Sequence, residues 1–210
     1  MISLCITHRV NEDISWVEDL YADLIIYNKG KDWDLPYPSI KAPKILNETD
    51  TYIRGIIDNY DNLYRYKTLF LLKPNCKDYD SEVISYLSIN QYNQIKDFDI
   101  VLLSESKIIF DYKAMMDHYE SDPELYKNDL IVLRFVSEMM ENLGIDLKSD
   151  PYPVCIGSQY RVPMVYILNK SKKWWIVLQS YMLKLHDMIG DNVSEVFEFI
   201  WPKIFLHASN

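Results

Sequence analysis

The chain has 210 residues, 49% of them apolar and 25% charged, a balance that suits one folded domain and excludes bulk disorder or a fibrous repeat. Its 22 Lys and Arg against 31 Asp and Glu leave a net charge of −9, which excludes a nucleic-acid binder held by phosphate contacts and a protein docked on anionic lipid. The 5 glycines form neither G-x-G-x-x-G nor G-x-x-x-x-G-K-[ST], so any nucleotide bound here is held without a glycine-rich phosphate loop.

In chain order, Ile2 to Thr7 reads as a strand that runs into the polar cluster His8 to Asp13. Ile14, Trp16, Val17 and Leu20 then recur at helical spacing behind Asn11 or Asp13 as N-cap, and Asp23 to Tyr27 reads as a second strand, giving a β-α-β opening. Residues 31–44 carry Pro36, Pro38 and Pro43 and are expected to be loop, Asn47 to Tyr60 a helix, and Lys67 to Leu72 a third strand. A polar turn through Lys73-Pro74-Asn75 and Cys76 to Asp80 opens a helix over Ser81 to Asn90. Asp99 to Ser104 reads as strand, Asp122 to Asn142 as helix, Val154 to Tyr160 as strand, and Pro163–Leu168 and Lys173–Ile189 as helices. With no repeat and no linker, this alternation predicts a single α/β domain over residues 1–210. Cys5, Cys76 and Cys155 form no C-x-x-C and are odd in number, which fits a reducing compartment. The opening apolar run is too short for a signal-peptide core, and no run of about 18 apolar residues follows. The expectation is therefore a cytoplasmic protein with no membrane insertion.

Three Asp-x-Asp triplets occur, at Asp32-Trp33-Asp34, Asp78-Tyr79-Asp80 and Asp97-Phe98-Asp99. Taken alone such a triplet is most often a solvated turn. Asp78 and Asp80 stand apart because they follow a strand, and in open α/β sheets ligands bind at the carboxyl ends of strands. Carboxylates at i and i+2 can both reach one Mn²⁺ or Mg²⁺, whose remaining positions are open to diphosphate oxygens. His8 and Arg9, at the end of the first strand, read either as surface polarity or as nucleotide contacts. His207 is a candidate third metal ligand, imidazole being a good ligand for Mn²⁺, although a terminal histidine is more often only exposed. No G-x-S-x-G or H-E-x-x-H nucleophile or zinc motif is present.

Several segments, read in order, resemble a known family: Arg9 to Trp16, Tyr27 to Gly30, Glu48 to Tyr52, Ile57 to Leu63, Phe70-Leu71, Gly157 to Tyr160 and Glu198 to Phe205. They resemble the DUF3431-like family of nucleotide-sugar glycosyltransferases, and the chain is similar to the amino-terminal GT-A domain of chlorovirus-encoded glycosyltransferases that build capsid glycans. It departs from that pattern where Leu46-Asn47-Glu48 replaces Gly-Arg-Glu, where Leu72 to Asn75 replaces a Gln-Gly-x-Pro turn, and where Phe199 replaces an arginine.

The resemblance implies a GT-A-like mixed central sheet flanked by helices, an α/β/α sandwich, in a domain that can be part of a larger protein. It implies a glycosyltransferase that moves a sugar from a UDP-sugar to a glycan or glycoprotein acceptor with Mn²⁺ or Mg²⁺, in viral capsid glycan synthesis in the host cytoplasm. The site residues are then His8, Arg9, Asn11, Asp58, Asp61 and Lys73 at the nucleotide, Asp78, Asp80 and His207 at the metal, and Gln159 and Glu198 at the reacting centre. The distal half offers no dedicated strand-end base, which points to retention of configuration and to a hexose or 6-deoxyhexose donor. Two other readings stay open: a non-catalytic nucleotide-sugar or glycan-binding module, and a metal-dependent phosphoesterase.

Overall fold

The computed structural model describes residues 2–8, 23–29, 39–42, 48–72, 100–102 and 107–207. The strands are β1 (Ile2–His8), β2 (Asp23–Asn28), β3 (Ser39–Lys41), β4 (Thr68–Leu72), β5 (Val101–Leu102), β6 (Lys107–Phe110), β7 (Tyr152–Cys155) and β8 (Tyr160–Pro163). The helices are α1 (Glu48–Asn59), α2 (Tyr112–Glu120), α3 (Lys127–Asn142), α4 (Met164–Leu168), α5 (Lys172–Ile189) and α6 (Val193–Leu206), with 3₁₀ turns at Tyr60–Arg65 and Gly190–Asn192.

A six-stranded sheet has the order β3-β2-β1-β4-β8-β5, and β6 and β7 form a separate antiparallel pair. Strands β1 to β4 run parallel, with Cys5 opposite both Ile25 and Leu71, while β8 is inserted antiparallel between β4 and β5. The chain is thus a mixed α/β domain with parallel and antiparallel pairing, flanked by helices. All five residues of β4 are buried, as a near-continuous apolar strand in the middle of a sheet requires.

The helices follow from their own sequences. Ser171 caps α5 by accepting from the Trp174 amide at 3.2 Å, and Trp175, Leu178, Met182 and Leu185 fall on its buried side. Gly144 ends α3 at φ +80°. Its amide donates to Glu141 O at 2.9 Å, and that of Ile145 donates to Met140 O at 2.8 Å, the paired bonds that close a helix through a left-handed glycine. Helix α6 carries large core rings: Trp201 stacks on Phe205 at 5.1 Å between ring centres and meets Phe197 and Tyr52 at 5.3 and 6.2 Å. All four rings are fully buried.

The expected strands at the start of the chain and at 67–72 are present, as are the helices over 47–60, 122–142, 163–168 and 173–189, with ends shifted by a few residues. Strand β3 lies in the segment expected to be loop, because three exposed residues with one apolar side chain give no alternating signal. The expected single strand over Val154 to Tyr160 is two strands, split where Gly157 and Ser158 adopt φ +97° and +54°. The expected helices at 14–20 and 81–90 lie outside the described residues.

Candidate functional site at the carboxyl edge of the sheet

From β1 the chain moves outward to β2 and β3, then returns to the other side of β1 as β4. The gap between the carboxyl ends of β1 and β4 is therefore a switch point, where the two connections leave in opposite directions and open a crevice. His8 is the last residue of β1 and Leu72 the last of β4. Arg9 and Asn11 follow the first end in sequence, and Lys73, Asp78 and Asp80 follow the second. All five lie outside the described residues.

Strand β8 brings a third segment to this edge. Tyr160 pairs with Leu71, so in the antiparallel direction Gln159 comes level with Leu72, and Ser158 and Gly157 stand beyond the carboxyl end of β4. The Gly157 amide donates to Glu198 Oε1 at 2.9 Å, and the Tyr160 hydroxyl reaches the Glu198 carbonyl at 3.4 Å, so α6 holds the turn from behind. Gln159 and Glu198, paired by sequence as candidates for the reacting centre, are brought together here, with Gln159 buried and Glu198 bound to the backbone two residues before it.

Ser158 was not among the candidates. Among the described residues it is the one non-glycine with positive φ, a conformation that costs an L-residue about 1–2 kcal/mol. Its side chain is buried and Oγ has no hydrogen-bond partner among the described residues, a further cost of about 1–3 kcal/mol. The sequence carried one signal for it, a glycine ahead of a polar pair inside an otherwise strand-like run.

Lys29, the residue after β2, lies at the same edge. Its Nζ is 3.3 Å from Asp50 Oδ2 with both side chains 3% exposed, and Arg54 Nη2 is 3.2 Å from Asp50 Oδ1. Burial pulls the Lys29 ammonium below its ordinary range, and Asp50 opposes that shift. Charge in this cluster is directed inward, to the start of α1, where it fixes helix to sheet.

The remaining candidates lie elsewhere. Asp58, near the end of α1, accepts from the Tyr27 hydroxyl at 2.7 Å, and Asp61, in the 3₁₀ turn that leads into β4, pairs with Lys172 at 2.7 Å. His207 ends α6. Its carbonyl accepts from Lys170 Nζ at 2.7 Å and Asn169 Nδ2 at 3.2 Å, and its ring lies against Gly144. Lys170 is joined through its own carbonyl to Tyr60, at 2.5 Å, in that same 3₁₀ turn. His207 and Asp61 therefore sit at the edge where β4 begins, across the sheet from His8. Burial and the Lys170 charge both pull the His207 imidazole below its ordinary range.

Among the described residues no group of three His, Cys, Asp or Glu comes together to hold a metal ion, and no helix is long and apolar enough to cross a membrane. The end of β2 meets α1 twice, through Lys29 and Asp50 and through Tyr27 and Asp58. Gly157 to Tyr160 meets Glu198 to Phe205 in the same way. No protein-family model, no curated protein and no solved structure matches the chain.

Proposed function

We propose that the chain is a metal-dependent glycosyltransferase domain of the GT-A type that takes a UDP-sugar at the carboxyl edge of the sheet and transfers the sugar to a glycan acceptor. The observation that carries this reading is the switch point between β1 and β4, with the Gly157–Gln159 turn beside it. A glycine-poor, acidic chain needs positive charge to hold a diphosphate, and the sequence just past the two strand ends supplies Arg9 and Lys73 together with the acidic pair Asp78 and Asp80.

In this reading Asp78 and Asp80 hold the divalent cation, which when bound supplies charge neutralisation on the departing UDP. His207 does not fit that ligand set, since it lies at the opposite edge with the Lys170 ammonium as a neighbour. Asp58 and Asp61, engaged by Tyr27 and Lys172, position α1 and the turn after it rather than the nucleotide. Gln159 borders the reacting centre. Glu198 acts through the turn, holding the Gly157 amide, which makes it a positioning residue. Bond cleavage at the anomeric carbon builds positive charge on the sugar, and a turn held rigidly at that place keeps the ring in line with the acceptor.

A thermal-shift screen of UDP, GDP and CMP, each with and without Mn²⁺, tests the reading. The expected result is stabilisation by UDP that requires Mn²⁺ and is lost in Asp80→Ala. Stabilisation indifferent to EDTA removes the metal, and binding with no transfer across a broad acceptor panel turns the domain into a binding module. NMR of the anomeric proton in the product reads the stereochemistry, for which retention is expected.

A further inference from the structure

A cavity of about 270 Å³ opens where α2, α3 and α6 meet the end of β6. Its buried lining is apolar, with Phe110, Leu133, Val136 and Ile200, and the half-buried rings of Tyr119 and Phe199 also face it. Asp129 and Glu195 line it too and are exposed, so the cavity meets solvent on their side. Neither carboxylate has a hydrogen-bond or ion-pair partner among the described residues. Each sits in the first turn of its helix, where the helix dipole favours negative charge, so a carboxylate already takes the place that an anionic ligand would use. Burial and the Asp129 charge push the Tyr119 phenol above its ordinary range, which sets that carboxylate beside an aromatic wall.

We propose that this cavity binds a small organic ammonium ion with a ring-sized apolar body, seated among Phe110, Tyr119 and Phe199 with its charged end toward Asp129 and Glu195. The apolar lining removes the body from water, the aromatic rings attract a cation through their quadrupoles, and the two carboxylates face its charge at the mouth. The net charge of −9 draws cations toward the surface as a whole. An anion meets repulsion at the mouth, and a neutral apolar molecule leaves its charges unanswered. The volume falls just below the roughly 300–1,000 Å³ of drug-sized sites, which suits one ring on a short chain and not a nucleotide-sugar. The inference therefore stands apart from the reading of the sheet's carboxyl edge.

Saturation-transfer NMR and calorimetric titration at neutral pH with phenethylamine, an ammonium ion under those conditions, test this, with phenylethanol and phenylpropionate as neutral and anionic counterparts. Phenethylammonium is expected to bind about five- to tenfold more tightly than phenylethanol, and phenylpropionate not to bind. The double variant Asp129→Asn/Glu195→Gln changes exposed groups only and is expected to stay folded by circular dichroism while its affinity for the ammonium falls to that for the alcohol. Val132→Phe, which adds a ring from the half-buried lining, is expected to abolish binding of both while melting cooperatively. If that variant does not fold, the charge variant alone decides. No binding of phenethylammonium at millimolar concentration, equal affinity for the alcohol, or an affinity unchanged in the charge variant or in folded Val132→Phe overturns the assignment. Nα-acetyl-lysine amide separates a free amine from a partner's lysine: it is expected to bind more weakly than phenethylamine, and equal or tighter binding gives the cavity to a lysine side chain and overturns the small-molecule assignment.

Discussion

Replacing Asp50 by Asn strips a buried charge that links two cations. Lys29 and Asp50 are each 3% exposed at a separation of 3.3 Å, while Arg54, 3.2 Å from the other carboxylate oxygen, is 31% exposed and partly hydrated. Breaking a buried ion pair by removing one partner costs about 3–5 kcal/mol, because the charge left behind has lost both water and its counter-ion. Asp50→Asn takes the carboxylate away from both cations and is expected to cost up to that amount. Lys29→Met leaves Asp50 with Arg54 still in place, so the expected cost falls to about 1–3 kcal/mol. The double variant Lys29→Met/Asp50→Leu removes both charges of this pair and is expected to be more stable than Asp50→Asn alone. Urea unfolding followed by tryptophan fluorescence gives all three values, provided the slope with denaturant is unchanged. A cost for Lys29→Met equal to or above that for Asp50→Asn refutes the reasoning, since Arg54 would then not be neutralising the carboxylate.

Burial pulls Lys170 from 10.5 to about 8, so the folded protein releases this proton before the unfolded chain does. Stability is then expected to rise between about pH 8 and 10.5, by up to about 3 kcal/mol, and in Lys170→Met the rise is expected to flatten in parallel thermal melts across that window. Glu198→Gln keeps an oxygen for the Gly157 amide and is expected to retain most transfer activity, whereas Glu198→Ala, which frees the turn, loses it; loss in both variants identifies Glu198 as a base instead. Trp175 donates its indole N–H to Ile167 O at 3.2 Å, while the buried Trp201 indole N–H has no partner among the described residues, so in chemical melts Trp175→Phe is expected to cost about 1 kcal/mol more than Trp201→Phe.

The core sheet was legible in the sequence because Thr68 to Leu72 is an apolar run ended by Lys-Pro, and α5 because its buried residues repeat at helical spacing behind a serine cap. Strand β6 and helix α2 went unread. Strand β6 is short and exposes Lys107, Ile108 and Ile109, and α2 buries only Tyr112, so neither shows the period that marks its type. For the site, Gln159 and Glu198 came from the resemblance rather than from position after a strand, and the fold brings Glu198 to the turn that carries Gln159. What could not be read was the partner of each acid. Asp58 and Asp61 have the residue type a nucleotide site uses, yet Tyr27 and Lys172, 31 and 111 residues away in sequence, claim them. Nor does sequence tell a strand's carboxyl edge from its opposite for a residue such as His207, whose place depends on the direction in which α6 crosses the sheet.

The ends of the main sheet bear on how the domain lives beside other chains. Among the described residues the outer strands, β3 and β5, have three and two residues, and β3 closes on Lys41. So short a margin exposes few main-chain donors and acceptors for a foreign strand to pair with, and a lysine there must give up hydration when another chain approaches. Extension of the sheet from one molecule to the next is thereby discouraged, and the domain is expected to stay discrete at high concentration or when tethered to other modules.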